Sequence, residues 1–241
     1  MNGKIIFGSL DIGNSLDINK RTINEFKKSL FVVVEDIEVI NKINKKINKK
    51  NNKKVLIWPS DDDTVLDQIL QHIESGKDVL YLSGEGMPGV TDPGTLLTRF
   101  AIDNNIKYTA IPGPSILSLM PIMSGLCCEG FIFERLIPID KNQRINLLKS
   151  ISSFNKPILS LIMIQGVSAK FHTLEVLDDI LSIFSENCDI SIAINLTSKN
   201  EIIITDNIRQ AIIKINNTNF PEVSKIAVFI VPESRLNHNC L

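Results

Sequence analysis

The stretch Ser83-Gly84-Glu85-Gly86-Met87-Pro88-Gly89-Val90-Thr91-Asp92-Pro93-Gly94 decides how this chain is read. It follows an apolar run, Asp78–Ser83, with the composition of a strand, and it precedes a helical stretch, Pro93–Asp103. That order places it at the carboxyl edge of a sheet, where open α/β proteins bind ligands. Gly84, Gly86, Gly89 and Gly94 let backbone approach a ligand closely, while Pro88 and Pro93 fix its path. The stretch lacks the Gly-Lys-Ser/Thr ending of a P-loop. Gly84-x-Gly86-x-x-Gly89 has the spacing of a dinucleotide fingerprint, but Pro88 falls inside it and no helix opens there. Two readings stay open: a small-molecule loop, or a structural crossover.

Working outward, strand-like runs alternate with helical ones. Strands are expected at Lys4–Leu10, Leu30–Val34, Lys54–Trp58, Asp78–Ser83 and Ile106–Ile111, with helices at Lys20–Ser29, Asp36–Lys46, Thr64–Ser75 and Pro93–Asp103. Helices of this length between strands imply βαβ units and a mostly parallel sheet. Residues 1–112 therefore form one α/β domain, and Pro112-Gly113-Pro114 marks the boundary to a second domain over 113–241. In that second domain the pattern predicts helices at Ser115–Ser124, Lys141–Ser153, Ser168–Ser185 and Asn207–Ile215. Strands fall at Phe131–Ile137, Ile158–Ile164 and Ser224–Val231, and a hairpin joins Asp189–Leu196 to Glu201–Thr205 through Thr197-Ser198-Lys199-Asn200. Hairpin strands within an α/β domain make its sheet mixed. The tail from Glu233 is polar and reads as loose.

Ser9-Leu10-Asp11-Ile12-Gly13-Asn14 closes the first strand and Pro112-Gly113-Pro114-Ser115 the fifth, so both loops can face the glycine-rich one. Ser115 is placed to cap the next helix, which leaves the Ile116 N–H able to meet a ligand. Asp92-Pro93 reads as N-cap and first helical residue. Acids near this edge are Glu35, Asp36, Glu85 and Asp92, and no catalytic pair follows from their spacing.

Composition narrows the class. The chain has 241 residues, 44% hydrophobic and 22% charged, with formal net charge −1, enough for a real core. Residues 41–54 hold seven Lys and no acid, so the remainder carries −8. That balance excludes a uniformly basic RNA-binding surface. The lysine run itself is either a solvated helix end or a basic arm for an RNA backbone. No apolar run is long enough to cross a bilayer and the first residues lack a signal-peptide pattern, so a cytoplasmic protein is expected. Cys127, Cys128, Cys188 and Cys240 form no CxxC, and Cys127-Cys128 reads as packed thiols. His72, His172 and His238 have no metal-ligand spacing, so no metal site is expected.

The loops resemble those of the bacterial S-adenosylmethionine-dependent methyltransferases that modify a ribose 2′-hydroxyl of a cytidine in small-subunit ribosomal RNA. These enzymes belong to the tetrapyrrole-methylase-like superfamily. Their Pro-x-Pro-Ile-Gly-Asn-Leu-x-Asp-Ile-x-x-Arg is similar to Ser9–Ile18 followed by Arg21, without the prolines, and their Glu-Asp to Glu35-Asp36. Their Ser-Asp-Ala-Gly-Thr-Pro-Gly-Ile-Ser-Asp-Pro-Gly is matched in register by Ser83–Gly94, and their Pro-Gly-Pro-Ser by Pro112–Ser115. Ser124-Gly125-Leu126 and Phe131–Pro138 also resemble family stretches, so the likeness runs from about residue 5 to residue 231.

The resemblance implies two α/β domains with S-adenosylmethionine in the cleft between them, a homodimer, and ribosomal RNA or the small ribosomal subunit as partner. By likeness the cofactor touches Leu10, Glu85, Gly86, Met87, Val90, Ser115 and Ile116, and in the second domain Ile164 and Leu196. Glu35 and Glu85 are the expected groups for orienting or polarising the acceptor, or else they only stabilise loops or hold cofactor hydroxyls.

The chain also departs from the family. Glu38 stands where the family has an Arg, Gln165-Gly166-Val167-Ser168-Ala169 replaces Glu-Ser-Pro-His-Arg, and Ile194-Asn195-Leu196-Thr197-Ser198 replaces Arg-Glu-Leu-Thr-Lys. Gly84 and Met87 replace the Asp and Thr of the main loop. The chain thus looks like a divergent branch. A non-catalytic RNA-binding or scaffold protein that kept the fold, or a methyltransferase acting on a small molecule or protein, are the alternatives to RNA methylation.

Overall fold

A computed structural model describes residues 2–48, 53–62, 64–126, 130–154, 156–162, 168–222 and 224–232. Contacts divide the chain into two compact units, Met1–Ser115 and Ile116–Leu241.

The first unit alternates β1 (Lys4–Ser9), α1 (Lys20–Lys28), β2 (Phe31–Val34), α2 (Ile37–Ile47), β3 (Lys54–Ile57), α3 (Thr64–Glu74), β4 (Val79–Ser83), α4 (Gly94–Asp103) and β5 (Lys107–Ala110). All pairings are parallel, in the order β3-β2-β4-β1-β5. Central strands of such a sheet are covered on both faces, which is why β2 and β4 are buried at every position. Alternate residues feed two cores. Ile5, Phe7, Phe31, Val33, Val79 and Tyr81 pack under α3 and α4. Ile6, Val32, Val34, Leu80 and Leu82 pack under α1 and α2. Asn19 caps α1 by accepting from Arg21 N, and Asp36 caps α2 by accepting from Glu38 N at 2.8 Å.

The second unit runs α5 (Ile116–Ser124), β6 (Ile132–Leu136), α6 (Lys141–Ser152), β7 (Ile158–Ile162), α7 (Ser168–Ile183), β8 (Asp189–Ile194), β9 (Ile202–Asn207), α8 (Ile208–Asn216) and β10 (Ile226–Val231). Its sheet, β6-β7-β10-β8-β9, is mixed: β6 and β7 are parallel and the other pairs antiparallel. The β8–β9 hairpin is present, with Ile194 opposite Ile202. A buried ion pair fastens two helices. Arg144 Nε of α6 donates to Asp179 Oδ2 of α7 at 2.6 Å, and Arg144 Nη1 donates to the Ile139 carbonyl at 2.7 Å. Breaking one side would strand a charge in the interior, a loss of about 3–5 kcal/mol.

The expected elements are all present, most of them trimmed by a residue or two. One start differs in kind. Helix α4 begins at Gly94 with Pro93 at the cap position and no side-chain cap, so Asp92 is not the N-cap residue. Its carboxylate reaches past the proline to Gly94 N at 2.8 Å and also back to Gly89 N at 2.7 Å, closing the loop on itself. Ile164, Cys127, Cys128, His238, Cys240, the segment Gln165–Val167 and the tail from Glu233 lie outside the described residues.

Candidate functional site

Strand order explains why three loops meet. Because β1 lies between β4 and β5, the segments following these strands leave the sheet side by side. Leu10 N donates to the Ser83 carbonyl at 3.0 Å, extending the β1–β4 ladder into the loops. Met87 N donates to the Pro114 carbonyl at 2.8 Å, which docks the glycine-rich loop on the loop after β5. Asn19 Nδ2 donates to the Pro112 carbonyl at 2.9 Å and ties in the segment after β1. Gly86 sits at φ +72, and a Cβ there would stand 2.8 Å from both Ile12 Cγ2 and the Pro114 carbonyl oxygen. At Gly113 a Cβ would lie 1.9 Å from Ser9 Oγ. Glycine is required at Gly86, where both the backbone angle and the Pro114 carbonyl exclude a side chain, whereas at Gly113 a side chain would displace the Ser9 hydroxyl.

The first unit thus brings together Leu10, Glu85, Gly86, Met87, Val90 and Ser115 on these three loops. Leu10 and Gly86 are buried, Met87, Val90 and Ser115 half-buried, and Glu85 exposed. In the second unit Ile116 opens α5, and Leu196 is buried just after β8 between Asn195 and Thr197, both at positive φ. Asn195 fixes that turn, with its N–H donating to the Lys225 carbonyl and its Oδ1 accepting from Lys225 N, both at 2.8 Å.

Electrostatics at the carboxyl edge of the first sheet are acidic. Glu35, which follows β2, accepts from Gly84 N through Oε1 at 2.9 Å, so it braces the glycine-rich loop from the neighbouring strand. Its Oε2 has no hydrogen bond among the described residues. Burial pushes the Glu35 carboxyl above its usual range; the Gly84 N–H opposes this, and the charges of Asp92, Glu85 and Asp36 add to it. Tyr81, beneath the loop, donates to Asp92 Oδ1 at 3.3 Å, and burial followed by the Asp92 and Glu35 charges keeps its phenol protonated.

Two contributors were not singled out from sequence. Lys42, placed there in the lysine run, is half-buried and tied down by the loops. Its Nζ donates to the carbonyls of Gly84 at 2.9 Å and Asp11 at 3.2 Å and pairs with the buried Asp11 Oδ2 at 3.2 Å. It clamps the loops after β1 and β4. Helical phase was the available signal, since Lys42 lies between Val39 and Ile43 on the flank of the buried stripe of α2. Lys53, at the amino end of β3 and away from these loops, is likewise engaged, donating to the Ser29 carbonyl at 2.5 Å, while Lys49 and Lys50 lie outside the described residues. The second contributor is Ser9, fully buried, whose hydroxyl has no hydrogen-bond partner among the described residues. Among the described residues no group of three His, Cys, Asp or Glu side chains could hold a metal, and no helix is long and apolar enough to cross a membrane.

Beside the loops, Met87, Pro88, Gly94, Thr98, Tyr108 and Ala110 border a pocket of about 280 Å³. Its walls are the glycine-rich loop, the start of α4 and the edge strand β5.

Known proteins resemble this chain. The chain is 30% identical over 198 residues to a protein of Mycoplasmopsis pulmonis named ribosomal RNA small subunit methyltransferase I, covering 82% of this chain and 85% of that one. A protein of the same name from Thermotoga maritima is 29% identical over 213 residues, covering 87% and 90%. The crystal structure of a diphthine synthase superposes with a TM-score of 0.71 over 95% of this chain and 90% of its own, at 16% identity, a likeness of fold alone. The model of the tetrapyrrole (corrin/porphyrin) methylases matches residues 13–212, from the loop after β1 into α8. With the glycine-built junction of three loops, a mixed second sheet and that match in hand, the chain belongs to the tetrapyrrole (corrin/porphyrin) methylase family and has a methyltransferase fold.

Proposed function

We propose that the protein transfers the methyl group of S-adenosylmethionine to a ribose 2′-hydroxyl of small-subunit ribosomal RNA. The observation that carries this reading is the sealed junction of the loops after β1, β4 and β5, with Gly86 held at φ +72 against the Pro114 carbonyl. The names of the relatives support the RNA acceptor.

The residues present fit the cofactor. The Gly86 and Gly113 positions let the three loops close on one another through backbone, which fixes the main chain that would face the ligand, and the buried Ser9 hydroxyl lacks, among the described residues, a partner that a polar ligand could supply. The acids Glu35, Glu85 and Asp92 suit a ligand carrying a sulfonium and an ammonium. When bound, S-adenosylmethionine supplies an activated methyl group.

The chain's own residues then have limited tasks. Leu10, Gly86, Met87, Val90, Ser115 and Ile116 hold the ligand through backbone and apolar contact, and Leu196 is the corresponding position in the second unit. Lys42 and Glu35 keep the loops in place, from the α2 side and the β2 side. Glu35 Oε2 and Glu85 are the groups available to orient the acceptor hydroxyl and take its proton.

Calorimetric titration with S-adenosylmethionine and its demethylated product tests the reading. Micromolar binding of both is expected, lost in Gly86→Val, followed by transfer of labelled methyl to small-subunit RNA at an alkali-resistant ribose. Folded protein that binds neither ligand would overturn methyl transfer and leave a scaffold role. Label on a base, a small molecule or a protein would overturn the ribose assignment.

A further inference from the structure

The opposite edge of the first sheet is built differently. Parallel strands all begin there, and three of the five begin with lysine: Lys4 on β1, Lys54 on β3 and Lys107 on β5, with Lys77 two residues before β4. Register places Lys4 beside Lys107. Like charges side by side on neighbouring strands are destabilising by themselves, so this edge carries a cost that an anion bound there would offset. Five strands spaced about 4.8 Å apart make the row roughly 19 Å long. A groove of about 540 Å³ opens beside it, and its charged lining is Lys4, Arg21, Lys28 and Lys77 against Glu25 and Asp78.

Pairing leaves much of the charge in solvent. Lys4 Nζ is 3.7 Å from Asp78 and Lys28 Nζ is 3.2 Å from Glu25. Among the described residues Arg21, Lys77 and Lys107 have no carboxylate partner, and all three are exposed. Positive potential is felt locally: beyond burial, Lys77 and Lys54 lower the proton affinity of His72, which stacks on Phe31 with ring centres 4.4 Å apart.

We infer that the lysine row and its groove at the amino edge of the first sheet form a docking surface for an RNA sugar-phosphate backbone, separate from the cofactor loops. The choice of RNA over other polyanions rests on the proposed acceptor. Strands of four to six residues set the two edges roughly 13–20 Å apart. A structured RNA spans that distance, so one part of it anchors on the lysines while another presents its ribose elsewhere. Anchoring of this kind is uniform binding, which lowers KM and leaves kcat unchanged.

The test is the double variant Lys77→Glu/Lys107→Glu, compared with wild type and with Lys141→Glu/Lys149→Glu, the same charge change on exposed positions of α6. Binding of a fluorescein-labelled RNA hairpin is followed by anisotropy across a salt series, and S-adenosylmethionine binding by calorimetry. The amino-edge variant is expected to bind RNA at least about tenfold more weakly, with a salt slope shallower by about two. Its cofactor affinity and thermal midpoint should match wild type, and the α6 variant should bind RNA normally. RNA binding that is unchanged in the amino-edge variant, absent in wild type, or displaced by poly-glutamate as readily as by unlabelled RNA would overturn the inference. Wild-type protein that binds RNA through the row but no cofactor would sink methyl transfer and leave the docking surface standing.

Discussion

The two edges of the first sheet hold opposite charges and handle them in opposite ways. At the carboxyl edge charge is consumed by structure: Lys42 is spent on Asp11 and Gly84, Glu35 on Gly84 N, and Asp92 on Gly89 N and Gly94 N. At the amino edge Lys77 and Lys107 stand in solvent with no such ties. The difference separates charge that shapes a pocket from charge that presents a surface. Net composition, near neutral, conceals both.

The largest perturbation should come from the glycine junction. Gly86→Val forces a branched side chain into a left-handed backbone against the Pro114 carbonyl, with an expected loss of about 3 kcal/mol or more in urea unfolding and no measurable cofactor binding. Next is Lys42→Met, which leaves the Asp11 carboxylate buried and unpaired. A loss of about 2–3 kcal/mol is expected, with partial recovery in Lys42→Arg, whereas Lys77→Met should stay within about 0.5 kcal/mol. Equal losses at Lys42 and Lys77 would erase the contrast between the edges.

Smaller effects follow from titration. Glu35 has its folded pKa raised, chiefly by burial, so its contribution is fully present below the unfolded value near 4.5 and is lost as pH rises through the folded value. Glu35→Gln, which keeps an acceptor for Gly84 N, should therefore be slightly more stable than wild type at pH 7 and indistinguishable at pH 4. His72 behaves in the opposite sense. Its folded pKa is lowered, first by burial and then by Lys77, so its contribution is complete above the unfolded value near 6.5 and lost as pH falls below it. Lys77→Glu should raise the His72 pKa in an NMR titration without restoring it fully, since burial persists. No change would mean that Lys77 does not set the potential there.

Much of the fold was readable because apolar runs in a parallel sheet have few alternatives. Phe31-Val32-Val33-Val34 is a strand on composition, and helices between such runs imply parallel pairing. Strand order was not readable, and with it the reason why the segments after β1, β4 and β5 meet. The glycine-rich loop stood out by its punctuation and its companions by their place at strand ends, while the ligand was named through resemblance. Lys42 was missed because one lysine among seven looks like its neighbours, and only its helical phase against Val39 and Ile43 distinguishes it. Asp92 was placed as a helix cap because Asp-Pro usually is one; here Gly89 N competes for the same carboxylate. Ser9, standing where the family has proline, offered no pattern at all.

The position of β1 in the order β3-β2-β4-β1-β5 also bears on synthesis. Ile5 pairs with Val79 and Tyr108, so the first strand made waits for partners that arrive much later. At about 5–20 residues per second, roughly 4–14 s separate the completion of β1 from the appearance of β4. Over that interval Ile5, Ile6 and Phe7 have no ladder to join. The β8–β9 hairpin, by contrast, closes within a few residues of its own turn. On the ribosome the first unit is therefore begun early and finished late, because β1 stays unpaired until β4 and β5 on either side of it have been made.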